Sequence, residues 1–127
     1  MSNYVLDASA ILAFLNSEAG SERVAEILDH AVISAVNWSE VITKLLETGI
    51  PEAEIKLVQN YLGCEIISFG ESEAMETARL RSLTRHLGLS LGDRACIALA
   101  SQLGRTAVTA DKAWGLLTIG VKIEVIR

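Results

Sequence analysis

The sequence predicts an α/β fold built on a parallel sheet with helices packed on both faces. Three observations carry this. Short apolar segments alternate with longer helical ones from one end of the chain to the other. One helical stretch, Ala95 to Leu103, carries no charge at all, as a helix buried on most sides would. The chain has 127 residues and is 50% hydrophobic, so one domain can build a core without disulfide or metal staples.

The elements follow in order. Tyr4-Val-Leu reads as a short buried strand ending at Asp7, and a helix over Ala8–Leu15 follows, with Asp7 or Ser9 as its cap. Glu18–His30 reads as a helix with Val24, Ile27 and Leu28 on its apolar side, and Ala31-Val-Ile-Ser as a strand. From Val36 to Thr48, Trp38, Val41, Ile42, Leu45 and Leu46 recur at helical spacing. Gly49 stops that helix, and Pro51 with Glu52 and Glu54 starts another that runs to about Leu62. Cys64–Phe69 has strand character, and Glu71–Leu87 is helical up to Gly88. Ser90-Leu-Gly-Asp93 forms a variant capping box that opens the uncharged helix. Thr106–Thr109 reads as a strand, Asp111–Leu117 as a short helix and Lys122–Ile126 as a last strand. Nothing divides the chain, so residues 1–127 are expected to form one domain.

Sixteen Asp and Glu against eleven Lys and Arg give a net charge of −5, which at first argues against a polyanionic partner. The charges are unevenly spread, however. Residues 1–78 hold thirteen acids and three bases, whereas residues 79–127 hold three acids and eight bases, so a basic surface is possible. The first basic residue is Arg23, Asp7 interrupts the opening apolar stretch, and no apolar run exceeds six residues. A soluble, cytoplasmic protein without membrane contact is expected. Cys64 and Cys96 lie 32 positions apart without a CxxC, far from His30 and His86, and read as core residues rather than zinc or redox ligands.

Ligands of open α/β sheets bind beyond the carboxyl ends of the strands. Asp7, Glu40, Asp93 and Asp111 all map near element ends on that edge. Each also has a purely structural role open to it. Asp7 and Asp111 can be helix caps, Asp93 the capping-box acid, and Glu40 the partner of Lys44 in an i, i+4 ion pair. Separate roles do not account for four acids at one edge, where they repel unless a cation joins them. All-oxygen ligands without His or Cys favour Mg²⁺ or Mn²⁺. No Ser–His or Cys–His arrangement is apparent, and a carboxylate-held divalent ion is suited to phosphodiester hydrolysis.

Val5-Leu-Asp-Ala-Ser9, Asn37-Trp-Ser-Glu40, Ser90-Leu-Gly-Asp-Arg94 leading into Ala95-Cys-Ile-Ala-Leu-Ala100, and Thr109-Ala-Asp111 with Trp114 resemble the four motifs of PIN-domain ribonucleases. More narrowly, the chain is similar to VapC-type toxins of bacterial toxin–antitoxin modules. The resemblance spans the whole chain and implies a three-layer α/β/α sandwich with a short parallel sheet. It implies an endoribonuclease in which Asp7, Glu40, Asp93 and Asp111 hold one or two Mg²⁺ or Mn²⁺ ions and water attacks phosphorus in line, leaving 5′-phosphate and 3′-hydroxyl ends. Ser9, Asn37 and Thr109 would then orient the carboxylates. It also implies a homodimer and an antitoxin partner whose segment fills the groove near the acids.

Further signals are less specific. Arg79, Arg81, Arg85 and Arg94 could form a phosphate track for RNA, with Lys112 a further RNA contact, or the helix arginines a solvated face and Arg94 a counter-charge to Asp93. Trp38 and Trp114 read as core residues and His86 as a surface histidine. The helical hairpin around Gly49-Ile-Pro51 could serve a dimer, an antitoxin or ordinary packing. Two other functions stay open: a catalytically silent PIN-like binding domain, and a receiver-type phospho-acceptor module. The second wants adjacent acids after the first strand, where Ala8 stands, and the related Asp-x-Asp phosphatases want an acid where Ser9 stands.

Overall fold

The computed structural model describes residues 3–127. Five strands, β1 (Tyr4–Leu6), β2 (Ala31–Ser34), β3 (Glu65–Ile67), β4 (Thr106–Thr109) and β5 (Ile123–Val125), form one sheet in the order β3-β2-β1-β4-β5. All four pairings are parallel. Parallel strands need long crossovers, and six α-helices span the connections from β1 through β4: α1 (Ala8–Leu15), α2 (Ser21–Ile27), α3 (Ala35–Glu47), α4 (Ile55–Leu62), α5 (Glu71–Thr84) and α6 (Leu91–Leu103), while a 3₁₀ turn spans β4 to β5. The strand order separates this fold from the receiver-type reading, because doubly wound receiver sheets run 2-1-3-4-5.

The central strands are apolar on both sides, so each face nucleates its own core. Leu6, Ile33 and Val108 point into a cluster with Ile11, Val24, Ile27, Trp38, Val41, Leu45, Ile55 and Leu62 from α1 to α4. Val5, Val32 and Ala107 point the other way, onto Cys96, Ile97, Leu99 and Ala100 of α6, with Trp114, Leu89 and Leu80 of α5. The result is the expected three-layer α/β/α sandwich. The uncharged helix is indeed buried, from Ala95 through Ala100. Both tryptophans are core residues, and His86 is exposed.

Several element ends differ from expectation, each for a local reason. α2 starts at Ser21 instead of Glu18, because Gly20 takes a left-handed backbone with φ of +95°. A side chain there would also collide with Ile126, whose Cγ1 lies 2.7 Å from the Cβ position. Pro51 is extended and a 3₁₀ turn over Glu52–Glu54 precedes α4. α5 tightens into a 3₁₀ turn over Arg85–Leu87, and the predicted Asp111–Leu117 helix is a 3₁₀ turn over Lys112–Leu116. The outer strands β3 and β5 each keep only three residues. Leu46, part of the predicted apolar stripe of α3, is 42% exposed, whereas its neighbour Leu45 is buried. Among the described residues no helix is long and apolar enough to cross a membrane.

Candidate active site

From β1 the chain winds outward in one direction to β2 and β3, and from β4 in the other to β5. The order therefore reverses between β1 and β4, the place where α/β sheets open a crevice at their carboxyl edge. Asp7 follows β1 and Asp111 follows β4, so they flank that crevice. Glu40 comes from α3 after β2, and Asp93 from the first turn of α6. A hollow of about 240 Å³ is lined by Asp7, Ala8, Ser9, Leu12, Asn37, Glu40, Lys44, Asp93 and Asp111. The structure thus brings the four predicted acids, Ser9 and Asn37 to one cleft, with Thr109 directly beneath it.

The structural roles open to these acids are realised at the same time. Asp7 caps α1 by accepting the Ala10 N–H on Oδ1 at 2.8 Å. Asp93 closes the capping box: its Oδ2 accepts the Ser90 N–H at 2.9 Å while Ser90 Oγ accepts the Asp93 N–H at 3.1 Å. Asp111 accepts the Ala113 N–H at 2.9 Å. A cap fixes a carboxylate at a helix start, and here the helix starts face the crevice. Capping and lining the cleft are therefore one arrangement.

Asp7 is 4% exposed and is the most constrained of the four. Ser9 donates to its Oδ1 at 2.7 Å and Thr109 to its Oδ2 at 2.5 Å. Each hydroxyl has one proton and spends it on Asp7, so the 3.2 Å Ser9–Thr109 contact adds no third donor to an ionised carboxylate. The hydroxyl oxygens in turn accept the backbone N–H groups of Ala110, at 2.9 Å, and Asp111, at 3.0 Å. Ser9 and Thr109 thereby tie the start of α1 to the end of β4. Burial nevertheless dominates the electrostatics of Asp7. It pushes the carboxyl from 3.8 up to about 6 against the pull of those hydrogen bonds, with Asp93 adding repulsion.

Glu40 is held from two sides. Asn37 donates through Nδ2 to Glu40 Oε1 at 3.0 Å and to the Gly92 carbonyl at 2.9 Å, joining α3 to α6. Gly92 leaves the space that the Glu40 carboxylate occupies, since a Cβ there would stand 2.6 Å from Glu40 Cδ. Desolvation raises the Glu40 carboxyl, the Asn37 bond lowers it, and Asp93 raises it again. The expected Glu40–Lys44 ion pair is absent among the described residues. Lys44 turns to Glu47 at 3.5 Å and lines the cleft instead.

Beneath the site Cys96 donates weakly to the Val5 carbonyl at 3.8 Å. Burial first, then the Asp7, Asp93 and Glu40 charges, hold its thiol well above the usual range, so it stays protonated.

The expected phosphate track is not part of this cleft. Arg94 faces α5, where its guanidinium donates to the Thr77 carbonyl at 3.0 Å and its buried Nε has no partner among the described residues. Adjacent helix positions diverge by about 100°, so Asp93 toward the cleft puts Arg94 toward the neighbouring helix. Arg94, expected as an RNA contact beside Asp93, therefore lies against α5 and outside the lining of this cleft. Arg81, Arg85 and Lys112 are exposed and do not line the cleft. Sequence reasoning missed Gly92 and Lys44 as members of the site. A glycine in the first turn of an otherwise good helix was the available signal for the first.

Among the described residues no three acidic, imidazole or thiol groups are already close enough to share one ion. The donor set nonetheless suits a hard divalent cation. Every candidate ligand is an oxygen, and Asp93, Asp111 and Glu40 each have one oxygen tied by a hydrogen bond and a second without one among the described residues. Asn37 Oδ1, buried in the same wall, has no partner among the described residues and adds one more oxygen acceptor beside the acids.

Solved structures with this architecture include DNA-bound VapBC from Salmonella typhimurium, with a TM-score of 0.76, 20% identity and full coverage of both chains. VapBC2 from Rickettsia felis bound to a promoter DNA fragment gives 0.74 at 17% identity over 98% of each chain. VapBC-5 from Mycobacterium tuberculosis gives 0.63 at 22% identity over 100% of this chain and 99% of that one. No curated protein sequence matches significantly. The PIN domain family model matches residues 4–117, which include all four cleft acids, and the chain belongs to the PIN-domain family.

Proposed function

We propose that this chain is a divalent-metal-dependent endoribonuclease and the toxin of a toxin–antitoxin pair. The observation that carries the reading is the convergence of Asp7, Glu40, Asp93 and Asp111 from four different elements on one cleft at the sheet's switch point. Such a cleft repels RNA until cations enter it. Asp7, Glu40, Asp93 and Asp111 would hold one or two Mg²⁺ or Mn²⁺ ions, which when bound supply Lewis acidity and positive charge beside the scissile phosphate.

The chain's own residues supply position. Thr109, Ser9 and the Ala10 amide fix both oxygens of Asp7, and Asn37 with the space at Gly92 fixes Glu40. Ala8 and Leu12 form an apolar wall that strengthens every charge interaction in the hollow. The likeness to structures described as VapBC complexes supports the antitoxin partner, and a homodimer belongs to the same proposal.

The test is cleavage of RNA by the purified chain. Cleavage is expected with Mg²⁺ or Mn²⁺, and its loss in EDTA and in Asp93→Ala. Products should carry 5′-phosphates. Full activity in EDTA would refute the metal mechanism. Expression should arrest growth, and Asp7→Ala should relieve the arrest.

A further inference from the structure

The cleft does not end at the acids. Leu12 and Lys44 also line a second hollow of about 120 Å³, whose other walls are Asn16, Leu45 and Thr48. The two hollows are neighbours across a shared wall between α1 and α3. Among the described residues, Lys44 is the sole cation lining either one. It stands one turn beyond Glu40, a rise of about 6 Å along the helix. Its side chain is 66% exposed, and its one ion pair, with Glu47 at 3.5 Å, is open to water and easily exchanged.

We infer that Lys44 binds the phosphate next to the scissile one, and that the second hollow takes the base of that nucleotide. This deepens the ribonuclease reading and rests on it. Lys44 supplies a point charge suited to a phosphate oxygen. Leu12 and Leu45 give the hollow an apolar wall against which a ring can pack. Thr48 gives its hydroxyl proton to the Leu45 carbonyl at 2.9 Å, so its oxygen faces a ligand as an acceptor. Asn16 presents both a donor and an acceptor. A base that donates to Thr48 is favoured over one that can only accept there. Sequence preference then resides between α1 and α3, away from the exposed arginines of α5.

The experiment compares wild type with Lys44→Ala, Lys44→Arg and Thr48→Phe. Lys122→Ala serves as a control, because Lys122 lies at the opposite end of the strands. A fluorescently labelled single-stranded oligoribonucleotide is titrated with protein in Ca²⁺ at several salt concentrations, and cleavage of a random-sequence RNA pool is followed in Mg²⁺. Lys44→Ala is expected to weaken binding about tenfold and to flatten the plot of log Kd against log salt by about 0.7, one phosphate contact on a single strand. Lys44→Arg restores most of the affinity. KM rises in Lys44→Ala with kcat nearly unchanged, and Thr48→Phe redistributes the cut sites.

Equal affinity and salt slope for wild type and Lys44→Ala would overturn the inference and assign the hollow to a protein segment instead. An unchanged cut-site pattern in Thr48→Phe would overturn the base site. Wild type that cleaves no RNA fails the ribonuclease proposal itself, an outcome visible before any variant is compared.

Discussion

A buried carboxylate that is ionised at neutral pH should weaken the fold that carries it. Asp7 is 4% exposed, and its carboxyl is raised from 3.8 to about 6 chiefly by desolvation. In the folded chain the proton is therefore held more tightly than in the unfolded chain. The native state binds more protons between pH 4 and 6, so stability falls as pH rises through that window. Below pH 3.8 the effect vanishes, and above about 6 it is complete. At 1.36 kcal/mol for each tenfold change, the cost at pH 7.5 is about 3 kcal/mol.

Asp7→Asn removes that cost. Asparagine caps a helix as well as aspartate does, and its amide can donate to the Thr109 hydroxyl where the carboxylate accepted from it. Some charge-assisted hydrogen bonding is lost, leaving a net gain of about 2 kcal/mol. With a urea m-value near 2 kcal/mol/M, the midpoint should rise by about 1 M at pH 7.5 in EDTA, and the gap should close toward pH 4. Adding Mn²⁺ should raise the wild-type midpoint and leave Asp7→Asn nearly unmoved, because binding to the native state alone stabilises it. If Asp7→Asn is no more stable than wild type at pH 7.5, or the gap persists at pH 4, the electrostatic account of this site is wrong.

Other substitutions separate position from packing. Gly92→Ala should leave the unfolding midpoint unchanged or slightly raised, because alanine favours the helix by about 1 kcal/mol, while displacing Glu40 and lowering Mn²⁺ affinity by calorimetry. Asn37→Leu should destabilise the chain by about 1–3 kcal/mol, since it leaves the Gly92 carbonyl without its α3 donor. Arg94→Ala should lower the unfolding midpoint and leave the salt dependence of RNA binding unchanged, because its guanidinium is committed to Thr77 on α5.

Three of the four acids stand out in the sequence because each doubles as a local signal. Asp7, Asp93 and Asp111 are caps, and caps are written within three residues of what they bond. The helical stripe of α3 and the uncharged α6 were legible for the same reason, being periodic over a few turns. What was not legible depends on partners distant in the chain. The direction of Arg94 is decided by α5 lying against that side of α6. The role of Gly92 is decided by Glu40, more than fifty residues earlier. Lys44 read as the partner of Glu40 because spacing alone cannot show that Asn37 already holds that carboxylate. Strand order, which creates the crevice, leaves no local trace at all.

That order also governs when the site comes into being. β1 sits at the middle of the sheet, and one of its two neighbours, β4, is more than a hundred residues downstream. During synthesis β2 can pair with β1 early, but the other edge of β1 stays bare until residues 106–109 emerge. Thr109 reaches Asp7 only by closing a loop of 102 residues, a contact whose entropy cost is met late. At ordinary elongation rates of about 5–20 residues per second, the chain spends several seconds with Asp7 made and its pocket unbuilt. The cleft is thus a product of the nearly finished chain, and a ribosome-bound fragment ending before β4 has the first acid without the walls around it.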